Sequence, residues 1–204
     1  MSWYSKVAWT EGLFLRPHHL QQSDRYAEHL LDERVRLASP YPWGFADVEI
    51  DQDVGQQCRF ALRHGRGIFP DGTVFNFPAD GTAPPAIDVP EDAAGQIIWL
   101  GIPETTVNAV EVANGREDAA TRYIQGRETI IDSTSALRQE EEIDVAHPRL
   151  MYSIRSTPHP GHVCLPVARI TEIKDRIVIT DGSFAPPVLA CHVHPVVTGW
   201  IDAV

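Results

Sequence analysis

Cys191-His192-Val193-His194 is the stretch of this 204-residue chain whose side chains could most readily do chemistry. On a strand, residues two apart share a face, so His192 and His194 would point together and the Cys191 thiolate could join a metal set. A zinc or iron site needs a third and usually a fourth ligand, and no paired motif elsewhere supplies one. A cupin-like enzyme would want a glutamate a few residues after His194, where Pro195, Val196, Val197 and Thr198 stand. Structural or surface histidines are the expected reading, and a cupin-like metal-dependent enzyme using His192 and His194 is the alternative. His159-Pro160-Gly161-His162 has the composition of an exposed loop. His18 and His19 are neighbours on a helix and point in different directions. Ser183 follows Asp181-Gly182 without a Gly-x-Ser-x-Gly elbow, no cysteine has a catalytic context, and there is no glycine-rich phosphate loop. The residues predict no catalytic set, no metal and no cofactor.

The elements that would hold these side chains belong to a chain with enough length for a real core. Sixteen prolines and fourteen glycines are spread along it, which suits many short elements joined by turns. A formal net charge of −11 and a pI near 5.2 argue against nucleic acid and anionic lipid as partners. No apolar run approaches the roughly 20 residues of a membrane-spanning helix, and the N-terminus does not read as a secretion signal. Cys58, Cys164 and Cys191 are odd in number and far apart, so free, buried thiols in a reducing, cytoplasmic compartment are expected.

Residues 1–16 crowd Trp3, Tyr4, Val7, Trp9, Leu13, Phe14 and Leu15 into an apolar arm that must lie in a groove of its own domain or in a partner. Pro17 can open a helix. Leu20, Ala27, Leu30, Leu31, Val35 and Ala38 then recur at helical spacing until Ser39-Pro40, so the spacing predicts a helix over 17–37. The face of Leu20, Ala27, Leu30 and Leu31 reads as core.

From Phe45 the period becomes two. Cys58, Phe60 and Leu62, then Thr73, Phe75 and Phe77, alternate with other residues, and Pro70-Asp71-Gly72 offers the turn between them. Ile97-Ile98-Trp99-Leu100 reads as a strand covered on both faces. Residues 107–112, 129–131, 143–145, 150–154, 163–173 and 176–179 read as further strands. Residues 80–94 read as a loop and Glu140-Glu141-Glu142 as solvated surface, while 188–204 is apolar without a period. The exposed-tryptophan alternative, a carbohydrate-binding β-sandwich using Trp43, Trp99 or Trp200, fits less well. Trp99 lies in the apolar run and Trp43 in a turn, where packing explains both.

The segment from Val7 to Tyr26 is the most specific in the chain. Trp9, Glu11-Gly12, Leu13-Phe14-Leu15, Pro17, His18-His19-Leu20-Gln21-Gln22 and Asp24-Arg25-Tyr26 resemble the opening of the TssK family (also called ImpJ or VasE) of type VI secretion baseplate subunits. His18 stands where glutamine is usual, Leu20 where phenylalanine is usual and Leu13 where methionine is common. Tyr41-Pro42-Trp43-Gly44-Phe45, residues 67–73, residues 165–170 and Phe184-Ala185-Pro186-Pro187 resemble later family motifs in the same order.

The resemblance implies a mainly β fold, an antiparallel β-sandwich like the shoulder of phage receptor-binding proteins, with one long N-terminal helix. It divides the chain into an arm at 1–16, a helix plus shoulder at 17–187, and at 188–204 the start of a connection to a helical neck and C-terminal head. It implies a trimeric structural adaptor whose N-terminal region docks on TssF and TssG. The head, which lies beyond this sequence, would reach TssL and TssM at the inner membrane. Val7, Trp9, Glu11, Leu13, Phe14, Leu15 and His19 are the partner-binding candidates it implies. By type alone, Trp9, Phe14 and Leu15 suit either partner pockets or the domain's own core.

Overall fold

The helical period of the sequence ends at Ser39-Pro40, and there the chain changes from one kind of structure to another. The computed structural model describes residues 3–81, 83–113, 121–134 and 138–202. They form two units, one up to Pro42 and one from Trp43.

In the first unit, helix α1 spans Pro17–Ala38. Proline in the first turn costs no hydrogen bond, and the chain leaves the helix at Ser39, before Pro40. Trp3, Tyr4 and Ser5 fold back along the polar side of α1. The Gln22 amide donates to the carbonyls of Trp3 and Ser5 at 3.0 and 2.7 Å. The Arg25 guanidinium sits 4.4 Å from the Trp3 ring, and Tyr4 stacks on His29 with ring centres 4.0 Å apart. The expectation that Leu20, Ala27, Leu30 and Leu31 form core is overturned: no residue of α1 is buried, and Leu31 is 63% exposed. Helical spacing shows that these residues share a face. It does not show what covers that face.

The second unit is mainly β. Strands β1 (Gly44–Ile50), β3 (Leu62–Ile68) and β4 (Val74–Phe77) make one sheet in the order β1-β3-β4. Strands β6 (Ile97–Pro103), β10 (Met151–Arg155), β11 (His162–Lys174) and β12 (Ile177–Thr180) make another in the order β10-β6-β11-β12. Both sheets are antiparallel. Phe45, Phe60, Phe75 and Phe77 join Ile98, Leu100, Tyr152, Leu165 and Ile170 in one buried cluster, which makes the two sheets a sandwich. The Leu62 N–H donates to the Tyr152 hydroxyl at 3.0 Å across that core, and burial pushes the phenol well above its ordinary pKa.

The Pro70-Asp71-Gly72 turn forms as expected, with Thr73 N–H donating to the Asp71 carboxylate at 3.1 Å. Gly65 pairs with Phe77, whose ring crosses it so closely that an added Cβ would lie 2.6 Å from the ring edge. Pro166 survives inside β11 because the ladder to β6 slips beside it, between Pro166 and Ala168.

Several local expectations fail for physical reasons. Residues 107–111 turn rather than extend, because Asn108 has φ of 65° and Ala109 N–H closes on the Thr106 carbonyl; only β7 (Val112–Ala113) is strand. Cys58 precedes β2 (Arg59–Phe60) in a left-handed conformation, φ 58°. The segment read as loop contains β5 (Ile87–Asp88), which pairs with β2 and leads to buried Val89 and Ala93. The aperiodic tail holds a 3-10 turn at Cys191–Val193 and helix α3 at Pro195–Asp202. A four-residue helix, α2 (Gln52–Gly55), starts at the Asp51 cap.

One pair of strands leaves the sandwich. β8 (Tyr123–Ile131) and β9 (Glu140–Pro148) form an unbroken antiparallel ladder of nine pairs, beside which β7 runs parallel for two residues. Arg122 anchors its root. The buried guanidinium donates to the Pro103 carbonyl and the Thr73 hydroxyl, and to the Asp71 carboxylate at 2.6 Å. Burial alone would lower its pKa, but Asp71 and Tyr123 outweigh it and hold the charge more firmly than usual.

Candidate partner interface

The arm carries the large apolar side chains that the sequence singles out, and the structure leaves most of them open. Trp9 is 54% exposed, Phe14 79% and Leu15 56%, while Leu13 and Glu11 are also exposed and Val7 is half-buried. His19 has a local task at the start of α1. Its Nδ1 accepts the Arg16 N–H at 3.1 Å while its own N–H donates to the Arg16 carbonyl at 2.9 Å. The first bond is the N3 half of a capping box, with histidine where glutamate or glutamine is usual, and the second runs backbone to backbone because an arginine side chain has no acceptor. The Trp9 ring lies tilted 6.3 Å from His19. The arm thus turns into the helix through a fixed corner, and its outward rings are presented from there.

The features that could have been catalytic do not assemble. The strand premise for the Cys191-His192-Val193-His194 site fails, because a 3-10 turn removes the shared face. His192 is exposed, and the His194 carbonyl instead accepts the first N–H bonds of α3, from Val197 and Thr198. Burial lowers the pKa of His194. Among the described residues no three histidine, cysteine, aspartate or glutamate side chains are grouped to hold a metal ion. His159 and His162 face each other edge-on at 4.3 Å, and each places Nδ1 against the Pro160 carbonyl.

Ser183 donates through both its hydroxyl and its N–H to the Asp181 carboxylate, at 2.6 and 2.9 Å, a closed local turn that pulls the carboxyl pKa down. The thiols are less buried than expected: Cys58 and Cys164 are half-buried and Cys191 is exposed. Burial raises the pKa of the Cys164 thiol, the opposite of an activated nucleophile. Trp99 donates its indole N–H to the Arg155 carbonyl at 3.1 Å, and Trp200 is 61% exposed at the end of α3. A cleft of about 240 Å³ lies between Ile50, Val167, Phe184 and His194, lined mainly by apolar side chains.

The β8–β9 ribbon is the surface that sequence reading missed. Its alternation resembles that of any sandwich strand, and only the tertiary structure shows that no sheet among the described residues covers it. No helix among the described residues is long and apolar enough to cross a membrane.

A family model described as "Bacterial Type VI secretion, VC_A0110, EvfL, ImpJ, VasE" matches residues 19–204. The type VI secretion system baseplate component TssK1 of Pseudomonas aeruginosa is 34% identical over 197 residues, which cover 96% of this chain and 44% of that protein. The chain therefore spans less than half the length of that curated relative. A crystal structure of TssK matches with a TM-score of 0.89 at 29% identity, over 98% of this chain and 46% of that one. A cryo-electron microscopy structure of a TssK–TssF–TssG baseplate subcomplex matches with a TM-score of 0.87, over 98% of this chain and 67% of that one. Its 23% identity speaks for the fold alone. With the sandwich, the single long helix and a family match from within α1 to the last residue, this chain belongs to the ImpJ/VasE family of bacterial type VI secretion proteins.

Proposed function

We propose that this chain is a structural, non-catalytic part of a type VI baseplate adaptor whose arm docks on the TssF–TssG wedge. One observation carries the reading: no described residue before Gly44 is buried, although Trp9, Leu13, Phe14, Leu15, Leu20 and Leu31 are all large and apolar. Apolar surface at that density invites a partner. In the same reading the full-length protein is a trimer in the bacterial cytoplasm. A region beyond these residues links it to TssL and TssM at the inner membrane. The solved TssK–TssF–TssG subcomplex supports the choice of partner, since it holds a relative of the same fold.

The test is binding of co-expressed TssF–TssG to this chain carrying Trp9→Ala or Phe14→Ala. Central aromatic anchors cost about 2 kcal/mol or more on truncation, roughly thirtyfold in affinity. Melting temperature should hold in both variants. A loss of stability without a loss of affinity would remove the arm from the interface.

A further inference from the structure

The β8–β9 ribbon has two unlike faces. Directly paired residues of an antiparallel ladder share a face, and so do residues two apart along a strand. The pairs Ile124–His147, Gly126–Val145, Glu128–Ile143 and Ile130–Glu141 therefore define one face. The pairs Arg127–Asp144, Thr129–Glu142 and Ile131–Glu140 belong to the other. That second face is a solvated one: Arg127 lies 3.5 Å from Asp144 and 3.8 Å from Glu142, and all three side chains are more than half exposed.

The first face carries an open apolar stripe of Ile124, Val145, Ile143 and Ile130, with Glu128 and Glu141 beside it. Ile124, Ile130 and Ile143 are 46%, 44% and 43% exposed. From Ile124 to Ile130 the stripe runs about 20 Å at strand rise. Near its root the His147 ring lies over Gly126, where an added Cβ would come within 2.5 Å of it, and His147 Nε2 is 3.7 Å from Glu128. Arg122 fixes the root to the sandwich, so the face is presented from a rigid base. Beyond β7 the ribbon is two-stranded, with no layer against it among the described residues; such a ribbon is marginal in water, and cover over this face would stabilise it.

Charge decides what that cover is. Glu128 and Glu141 lie on the apolar face itself, and Glu140 and Glu142 flank it from behind. Two copies laid face to face would set these carboxylates against each other in a chain whose net charge is already −11. Anionic lipid is repelled by the same groups. We infer that the Ile124–Ile130–Ile143 face is a second docking surface, taken by a segment of a partner protein that bears an apolar stripe flanked by lysine or arginine.

The choice of probe rests on the adaptor reading above, so the experiment separates the two. This chain and its variants are titrated with co-expressed TssF–TssG, with melting temperature and molar mass by light scattering measured alongside. The variant I124T/I130T/I143T keeps β-branched side chains and the ladder while stripping the apolar stripe. It should bind at least tenfold more weakly, at unchanged melting temperature. E128K/E141K should also lose at least tenfold, with a shallower salt dependence than wild type. I131T, on the opposite face, should bind within twofold.

If the triple variant binds within twofold while the Trp9→Ala arm variant is weakened, the ribbon inference falls and the arm reading stands. No binding by wild type would sink both. A mass above monomer that collapses in the triple variant would make a second copy the occupant and overturn the inference. Should the triple variant melt early, E128K/E141K decides alone, and wild-type affinity there overturns the inference.

Discussion

Helix α1 and strand β6 are both rich in large aliphatic residues, yet they use them in opposite ways. Leu20, Leu30, Leu31 and Val35 of α1 stand 38–63% exposed, while Ile98, Leu100 and Ile102 of β6 are wholly buried. The unit from Trp43 onward closes its own core with seven large side chains sealed from solvent. Residues 3–42 have no core, and what orders them is polar and aromatic: Gln22 on two carbonyls, Arg25 over Trp3, Tyr4 on His29. A single helix of this length is marginal in water without cover on its apolar face. The difference teaches that the core of the sandwich is complete as folded, whereas the arm and α1 are shaped to be completed.

Matched deletions offer the most direct way to break that comparison. Phe45→Ala should cost about 3–5 kcal/mol, since its ring is fully buried and meets Phe75 edge-on at 5.7 Å. Leu31→Ala should change stability by less than about 0.5 kcal/mol. Denaturant midpoints of the two variants in the same chain measure both. A Leu31→Ala cost near that of Phe45→Ala would mean that α1 has a hidden core.

Charged residues repeat the contrast at slightly smaller scale. Arg122→Ala leaves Asp71 facing a half-buried site and unties the root of the ribbon, a loss of about 3 kcal/mol or more. Arg36 meets Asp32 at 2.7 Å one turn away on the surface of α1, and Arg36→Ala should cost about 0.3–0.5 kcal/mol. Thermal melts at low and high salt sharpen the point: the Arg36 effect should shrink with salt and the Arg122 effect should persist. Similar losses for the two would refute the division.

The same division marks what could be read from the sequence. Helix α1 was legible because its signals are local: Pro17 opens it, Ser39-Pro40 closes it and the period between is 3.6. The Pro70-Asp71-Gly72 reversal and the alternation of Phe75 and Phe77 are local too, and both hold. What failed depended on the rest of the molecule. Apolar residues at helical spacing require cover, but their spacing cannot say whether this chain supplies it. The positive φ of Asn108 broke a stretch of strand-forming valines. In the tail, Val196, Val197 and Gly199 hid the 3.6 period of α3, though Pro195 stood at its first position. The arm could be read as sticky from Trp9 and Phe14, while the ribbon looked like two more sandwich strands.

The smallest effect concerns His194, where the closed unit contains a titratable group. Burial lowers its pKa below the ordinary value near 6.5, so the folded chain resists a proton that the unfolded chain accepts. Stability is therefore undiminished by this group above about pH 7.5. It falls as pH drops through 6.5, and the loss is complete once the pH is below the folded pKa. His194→Gln keeps the backbone carbonyl that caps α3 and cannot titrate, so it removes that increment. Denaturant midpoints of wild type and variant at pH 7.5 and 5.5 isolate it from the other histidines, whose contributions cancel in the difference. The variant should lose less stability than wild type over that interval. A gap between them that stays constant from pH 7.5 to 5.5 would show that the His194 ring is open to water. The boundary of the closed core would then lie before α3 rather than within it.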